Sequence, residues 1–547
     1  MSTHRYAIFL FKFFLLLSIS PTIGANYYVA TSYGIDSNNG TSINTPFKTI
    51  GKAASVMSSG DKCYIRQGRY HETITIDDLD GSSGSAIVFT NYNNERVVVD
   101  GTTPITSTWT QVGSSNIWRT KLSADIWQLF INWEEQVMAR WPNAKFSDDT
   151  VWDNDNYWAK GTIDDDENAY TNGTIIDDPY TNSAGTAIDL SATGFDLDET
   201  NKQAIAILNL GSFKTWSRLV TSHSGNTFNY ATVPTWKTKH HYYYLEGRKE
   251  FLDQEGEWWY DTYNNADSLY YYAANGVNPN RLDFRGKVQS YAFSITGSQY
   301  VQIKNLEFFA TTVYFSNGDN CLVYGCNFMY PSCSKRMLRT VDTEPEMTKF
   351  ASGSSGSSIR NCAFRNTDGI ALEMWGGADT VDNCYFNKID YSVADNSSIM
   401  LTIRMNGTSN VFRKNTVHRT GASATVMIGD AGLVEYNNLY DTGHLQSDGS
   451  MIQFMEGQQD GAICRYNWLH DTEKYGARFD HSGTADGVNG IMHHNLAWNC
   501  ESGGIMVKGN NHKIYNNTVL NSGSKNDIIV LQINSGDHSS TIVKNNA

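Results

Sequence analysis

Apolar and polar residues alternate in short stretches along the C-terminal half of the chain, as in Ile370, Leu372 and Met374, or Val426 and Ile428. A period of two sends one set of side chains into a core and the other to a surface, so each stretch predicts a short β-strand. The stretches repeat, each beside an asparagine: IKNLEF, IRNCAF, VDNCYF, RKNTVH, EYNNLY, RYNWLH, HHNLAW and YNNTVL. The aligned asparagines are Asn305, Asn361, Asn383, Asn415, Asn438, Asn467, Asn495 and Asn517, spaced from Asn361 onward by 22 to 32 residues. Repeats of this length without helical periodicity predict a solenoid whose coils each add strands to parallel sheets. One asparagine per coil can stack into a ladder at a corner and satisfy the turn backbone. With only nine prolines, the composition suits a chain lying mostly in paired strands.

Before this repeat the pattern changes three times. Residues 1–25 hold His4, Arg5 and Lys12 around FLFKFFLLLSIS and end in small residues, the signature of a secretory signal peptide too short to span a bilayer. Residues 26–144 are expected to form an N-terminal cap and the first coils. There Pro46 to Met57 reads as a short amphipathic helix, with Phe47, Ile50, Ala53, Ala54 and Val56 apolar, covering the open end of the solenoid. From 145 to 285 the repeat is lost, and Asp, Asn, Thr, Tyr and Trp dominate an aromatic-rich β insert. The main solenoid, 286–547, stops at VKNNA midway through what should be another coil, so either the chain is a fragment or something else covers that end.

The net charge of -15, from 57 acidic and 42 basic residues, argues against a nucleic-acid partner. No later segment is apolar enough for a membrane span, and the mature protein is expected outside the cytoplasm, extracellular or periplasmic, as a monomer. The eight cysteines lack paired zinc spacing, and buried thiols or one or two bridges are the expectation. No cofactor is expected. The run Asp164 to Asn168 could hold a structural calcium ion, although a solvated acidic loop is the plainer reading. His418 and His470 fall at the same repeat position, as do Asp441 and Asp471, which marks them as corner residues first.

The segments PFKTIGKAA, GDKCYIRQGRYHETI, EEQVMARWPN and EFLDQEGEWWYD, followed by the repeat, resemble the parallel β-helix glycoside hydrolases, the group with β-xylosidases, xylanases and α-L-fucosidases. The resemblance implies an all-β, right-handed parallel β-helix, a polysaccharide or oligosaccharide substrate and hydrolytic chemistry. It is more specific for fold than for activity, because one fold hosts many chemistries. β-Helix polysaccharide lyases are related, and they use a Lys and Arg pair near calcium.

Glycoside hydrolysis needs two carboxyl groups flanking the scissile bond. The stretch from His444 to His481 gathers Asp448, Glu456, Asp460, Asp471, Arg478 and Asp480 within about one and a half coils. Asp480 and Lys508 share one offset from their aligned asparagines, which predicts neighbours on adjacent coils, with Met451 at the same offset one coil earlier. Alternation turns Arg478, Asp480, Met506, Lys508, Glu373 and Trp375 outward. The catalytic candidates are therefore Asp448, as nucleophile or base, with Asp480 or Glu456 as acid. Arg478, Lys508, His444, Trp375 and Glu373 are the candidates for binding substrate. Arg478 and Lys508 keep a uronate lyase open as the rival chemistry, and a non-catalytic carbohydrate-binding or adhesion role is the second rival.

Overall fold

The computed structural model describes residues 24–161, 173–211, 213–234, 238–263, 267–396, 400–455, 457–481, 487–523, 527–531 and 537–547. Most of the signal segment, the acidic run Asp164–Asn168 and the candidate acid Glu456 lie outside the described residues. The described strands stack into three long parallel sheets of 13, 11 and 11 strands, wound as a right-handed parallel β-helix whose coils visit the first, second and third sheet in turn, as in Val301–Lys304, Glu307–Phe309 and Thr312–Ser316. Successive coils pair in strict parallel register, as in Ile452 with Ala477 and Ala477 with Ile505. The inward set forms one continuous core, in which Phe308, Phe328, Phe364 and Phe386 lie one above another, each ring stacked on the next at 4.6–4.9 Å.

At one corner of every coil the backbone needs two things, and two adjacent positions supply them. The first takes the left-handed conformation, with φ of 54–58° at Asn305, Asn361, Asn383, Lys414, Tyr436, Tyr466, His494 and Asn516. The next residue points inward as Leu306, Cys326, Cys362, Cys384, Asn415, Asn437, Asn467, Asn495 and Asn517, all buried. From Asn415 onward each carboxamide donates to a first-sheet carbonyl one coil back (Val381, Phe412, Val434, Cys464 and Met492) at 3.0–3.1 Å. Its oxygen accepts the backbone N–H of the preceding ladder residue at 2.8–3.2 Å. Cys326, Cys362 and Cys384 fill the same slot, each thiol turned to the equivalent carbonyl at 3.6–3.8 Å.

This corrects the repeat alignment. Asn305, Asn361 and Asn383 occupy the left-handed slot, which asparagine tolerates, and not the ladder. Asn438 begins a strand, and its neighbour Asn437 is the ladder residue. The eight cysteines are all free and buried. The left-handed residues Lys388, Arg419, Asp441, Asp471 and Asn499 mark a second recurrent corner, in keeping with the expectation for Asp441 and Asp471.

The helix is shorter than expected, Ile50–Ala54, with Thr49 capping its first turn. Ile50, Ala53 and Ala54 join the solenoid core. The antiparallel excursion begins earlier than the loss of repeat at residue 145, with Thr102–Pro104, and ends with Phe284–Lys287. The solenoid closes over the gap: Ile87–Asn91 pairs directly with Val301–Lys304. The insert has its own aromatic core, including Trp109, Phe228, Tyr243 and Trp258. It docks by polar anchors: Asn209 donates to the carbonyl of Leu445, Gln446 to Thr215 at 2.9 Å, and buried Arg336 bridges Glu246 at 2.9 Å and Asp368 at 3.3 Å.

Asn467→Ala removes a donor and leaves the N–H groups of Asn437 without their acceptor, so it should cost roughly 2 kcal/mol or more. Asn361→Ala at a left-handed slot should cost about 1 kcal/mol; equal losses in thermal unfolding would contradict the two-slot reading. Asp390, buried beside Gly421, Ala422 and Thr402, is pushed up to about 8 by burial. Its folded value lies above the unfolded one, so the stability it lends is complete in acid and is lost as pH rises through about 8. The melting temperature should fall across that window, and Asp390→Asn should flatten the fall.

Candidate active site

The outer face of the third sheet carries a straight row of residues, because parallel register puts one side chain of each coil above the last. Lys349, Glu373, Arg404, Met427, Gln453, Arg478 and Met506 pair in that order. Two residues further along each strand, Asp480 follows Arg478 and Lys508 follows Met506. Outward does not mean exposed here. Glu373 has no accessible surface, Met506 2% and Arg478 7%. Gln453, Arg478 and Met506 of the row line a cleft with Phe213 of the insert in its wall.

This cleft measures about 530 Å³, and its lining includes Asp448, Gln453, Tyr475, Arg478, Asp480 and Lys508. One guanidinium organises it. Arg478 holds Asp448 through Nη1 at 2.6 Å and Asp480 through Nη2 at 2.9 Å, while its Nε donates to Gln453 Oε1 at 3.0 Å. Gln453 is itself fixed by Ser450 at 2.7 Å, and its amide donates to Asp480 at 3.2 Å. Lys508 closes the set on the other oxygen of Asp480 at 2.7 Å. Two carboxylates thus face two cations, with hydrogen bonds that satisfy groups otherwise costly to bury. Asp448 is delivered by a tight turn, with φ of 62° there and 88° at Gly449. A Cβ on Gly449 would lie 1.9 Å from the carbonyl oxygen of Ser423, so only glycine fits.

The walls are apolar: Met455, Met506, Tyr475, Phe213 and Leu531. Burial pushes the Tyr475 phenol up, against the pull of Arg478, so it remains a neutral donor. Behind the cleft, burial lowers His512 to about 4, and its ring stacks on Phe479 at 4.6 Å as neutral imidazole. The arrangement offers carboxylates as acceptors or nucleophiles, fixed cations for sugar oxygens, and apolar surface for ring faces.

The structure brings together Asp448, Asp480, Arg478 and Lys508, and adds His481 to the same lining. The Asp480 and Lys508 neighbours stand as expected, but the residue at the position of Asp480 one coil earlier is Met455; Met451 is core. The count slipped because the turn between Asn438–Thr442 and Ser450–Phe454 is longer than its counterpart between Trp468–Thr472 and Tyr475–Phe479. His444 lies at another corner, its ring 2.9 Å from Asp441, whose carboxyl it and Arg419 hold down at about 2. Glu373 is enclosed between Arg404 at 2.7 Å and Lys349 at 2.8 Å. Trp375 is 36% exposed on the same face, its indole N–H donating to Glu373 at 2.9 Å. It stands four coils from Asp480, about 19 Å along the axis. Asp460 bonds Asp430 and Asn489 outside the cleft. Gln453 and Ser450 were missed because nothing in their sequence distinguishes them from other polar strand residues.

Comparison with known proteins supports the fold. A family model described as right-handed beta helix region matches residues 349–521. A solved structure called glycoside hydrolase superposes with a TM-score of 0.60 at 12% identity, over 94% of this chain and 96% of the other. The complex of XylC with xylose gives 0.54 at 13% identity, over 91% and 76%. At these identities the likeness is one of fold. A curated relative, the uncharacterized protein YwoF of Bacillus subtilis (strain 168), is 38% identical over 76 residues, 14% of this chain and 16% of that protein. Among the described residues no helix is long and apolar enough to cross a membrane.

Arg478→Met should destabilise the protein by about 2 kcal/mol, between the exposed and buried limits for ion pairs, since it removes the cation that two carboxylates share. Lys508→Met should cost less than half of that. Thermal unfolding checks the order, and a larger loss for Lys508→Met would displace Arg478 as organiser.

Proposed function

We propose that this protein is a secreted glycoside hydrolase cleaving a plant or algal polysaccharide or its oligosaccharides, with Asp448, Asp480 and Glu456 carrying the reaction. The observation behind this reading is the pair of carboxylates held by one arginine in an open cleft of the solenoid. The fold it shares with a glycoside hydrolase and with the xylose complex of XylC agrees with a carbohydrate substrate.

Asp480 receives Lys508, Arg478 and Gln453, which arranges it as an acceptor that stabilises positive charge at the reacting carbon. Asp448, held by Arg478 at 2.6 Å and by the Gly449 N–H at 2.7 Å, is the nucleophile or the base that activates water. The proton for the leaving oxygen falls to Glu456, which follows the cleft residue Met455 in sequence. Sugar hydroxyls take the place of one arm of Arg478 on binding, and Trp375, further up the same face, stacks on a distant ring of a longer chain.

The cations carry a second reading. Arg478 and Lys508 could neutralise the carboxylate of a uronic acid and make the enzyme a lyase. A panel of polysaccharides and aryl glycosides, read for reducing ends and ultraviolet absorbance together, separates the two. Hydrolysis predicts reducing ends without absorbance, lowered about a hundredfold or more by Asp448→Asn or Asp480→Asn. An absorbing, unsaturated product would establish the lyase, and sugar binding without any turnover would leave a binding protein.

A further inference from the structure

A separate trough lies outside the second sheet, where the insert meets the solenoid. The hairpin of Leu129–Ile131 and Glu134–Gln136 carries Glu134 and Glu135 toward Tyr330, Asn366, Lys388 and Tyr391, which sit at or beside the second-sheet corners. Together they enclose about 420 Å³. Glu134, Tyr330 and Asn366 also line an adjoining groove of about 570 Å³ that reaches Arg69 and Arg96, so the two form one continuous trough.

Its chemistry differs from that of the Asp448 and Asp480 cleft. Lys388 is taken by Asp149 at 2.6 Å, Arg96 by Glu307 at 2.8 Å and Arg69 by Asp100 at 3.2 Å. Glu134 and Glu255 then outweigh Lys145 in the lining, which disfavours an acidic sugar. The remaining surface is phenol, carboxyl and amide over Phe146 and Trp152, a mixture suited to hydroxyls around an apolar ring. Gln128 donates to Glu135 Oε1 at 2.7 Å and Tyr391 approaches the same oxygen at 3.4 Å. Among the described residues nothing bonds Glu135 Oε2. The Tyr330 hydroxyl reaches Glu134 at 3.4 Å.

We propose that this trough is a second carbohydrate site, which takes an uncharged sugar unit through the Glu135 carboxyl and the Tyr330 and Tyr391 phenols. It stands on a different sheet from the first cleft and does not depend on the hydrolase reading. Burial pushes Glu135 up to about 8, so near neutrality it carries a proton and offers Oε2 as a donor. The groups facing it are Glu134 on its own strand, Gln128 just before the strand Leu129–Ile131, Lys287 at the end of Phe284–Lys287, and Tyr330, Cys333, Asp368 and Tyr391 of the solenoid. Lys287 is lowered to about 8 by burial, so this pair loses its protons in the same range. The donor at Glu135 is therefore lost as pH climbs past about 8.

The test uses the full-length protein carrying both Asp448→Asn and Asp480→Asn, titrated calorimetrically with methyl xyloside, methyl glucoside, methyl galactoside and glucuronate at about pH 6 and about pH 9, on either side of the Glu135 transition. Saturable binding of a neutral glycoside near pH 6, weakened on the order of tenfold near pH 9, is the expected result. Adding Glu135→Ala should weaken it by a similar factor, whereas Glu135→Gln keeps a donor and should bind equally at both pH values; thermal melts check that each variant is folded. Sugar binding that disappears in the double Asn variant, tighter binding of glucuronate, or indifference to Glu135→Ala would each overturn the proposal. The first of these would leave the Asp448 and Asp480 cleft standing, and Glu135-dependent binding in a protein without hydrolytic activity would do the reverse.

Discussion

Everything in this molecule hangs on how each coil turns its corner. A parallel solenoid must reverse direction repeatedly while keeping its backbone polar groups bonded, since an unbonded buried N–H costs as much as a lost hydrogen bond. Here a left-handed residue makes the turn and the next side chain satisfies the groups it exposes. Asn415, Asn437, Asn467, Asn495 and Asn517 do so by bonding both to a carbonyl one coil back and to the N–H of the neighbouring ladder residue. The ladder therefore fixes strand register to the residue. A slip of one would put Asp480 in the core and Phe479 in solvent.

From that register the chemistry follows. Rows of outward side chains run straight along the axis, so Arg478 meets Gln453 on one side and Met506 on the other, and Lys508 lies beside Asp480. A bare solenoid would present these as a solvated stripe, in which ion pairs contribute little. The insert changes their surroundings. By docking through Asn209, Thr215 and Arg336 it walls the third-sheet face, and charges that water would screen become a tightly partnered set. The same insert, laid over the second sheet, encloses Glu135 with the opposite consequence: a carboxyl with an amide for its partner is held protonated instead of paired. Two clefts of different character arise from one contact between domains.

Much of this was legible in the chain. The alternation at Ile370–Met374 and the recurring asparagines point to stacked coils, and the equal offsets of Asp480 and Lys508 place them side by side. Repeat positions also mark Asp441, Asp471, His418 and His470 as corner residues; the structure gives the aspartates left-handed corners, but the two histidines lie within the strands Thr416–Thr420 and Trp468–Thr472, their rings against Tyr440. The alignment failed where two adjacent slots both favour asparagine. Sequence similarity cannot tell the residue that makes a turn from the one that bonds it, and at Asn437–Asn438 the ladder residue is Asn437.

The sequence by itself determined the coil, its core and the direction in which each side chain leaves the backbone, because these depend on local alternation and on neighbours one repeat away. Only the tertiary structure decided which outward residues meet solvent. Glu373, closed between Lys349 and Arg404, and Arg478, set at the floor of a cleft, have the same pattern around them as exposed Trp375. What separates them is the insert and the neighbouring turns, brought over the sheet by contacts between residues more than two hundred positions apart, such as Asn209 with Leu445. Burial, and the protonation and pairing it imposes, is a property of that assembled surface, which no stretch of sequence contains.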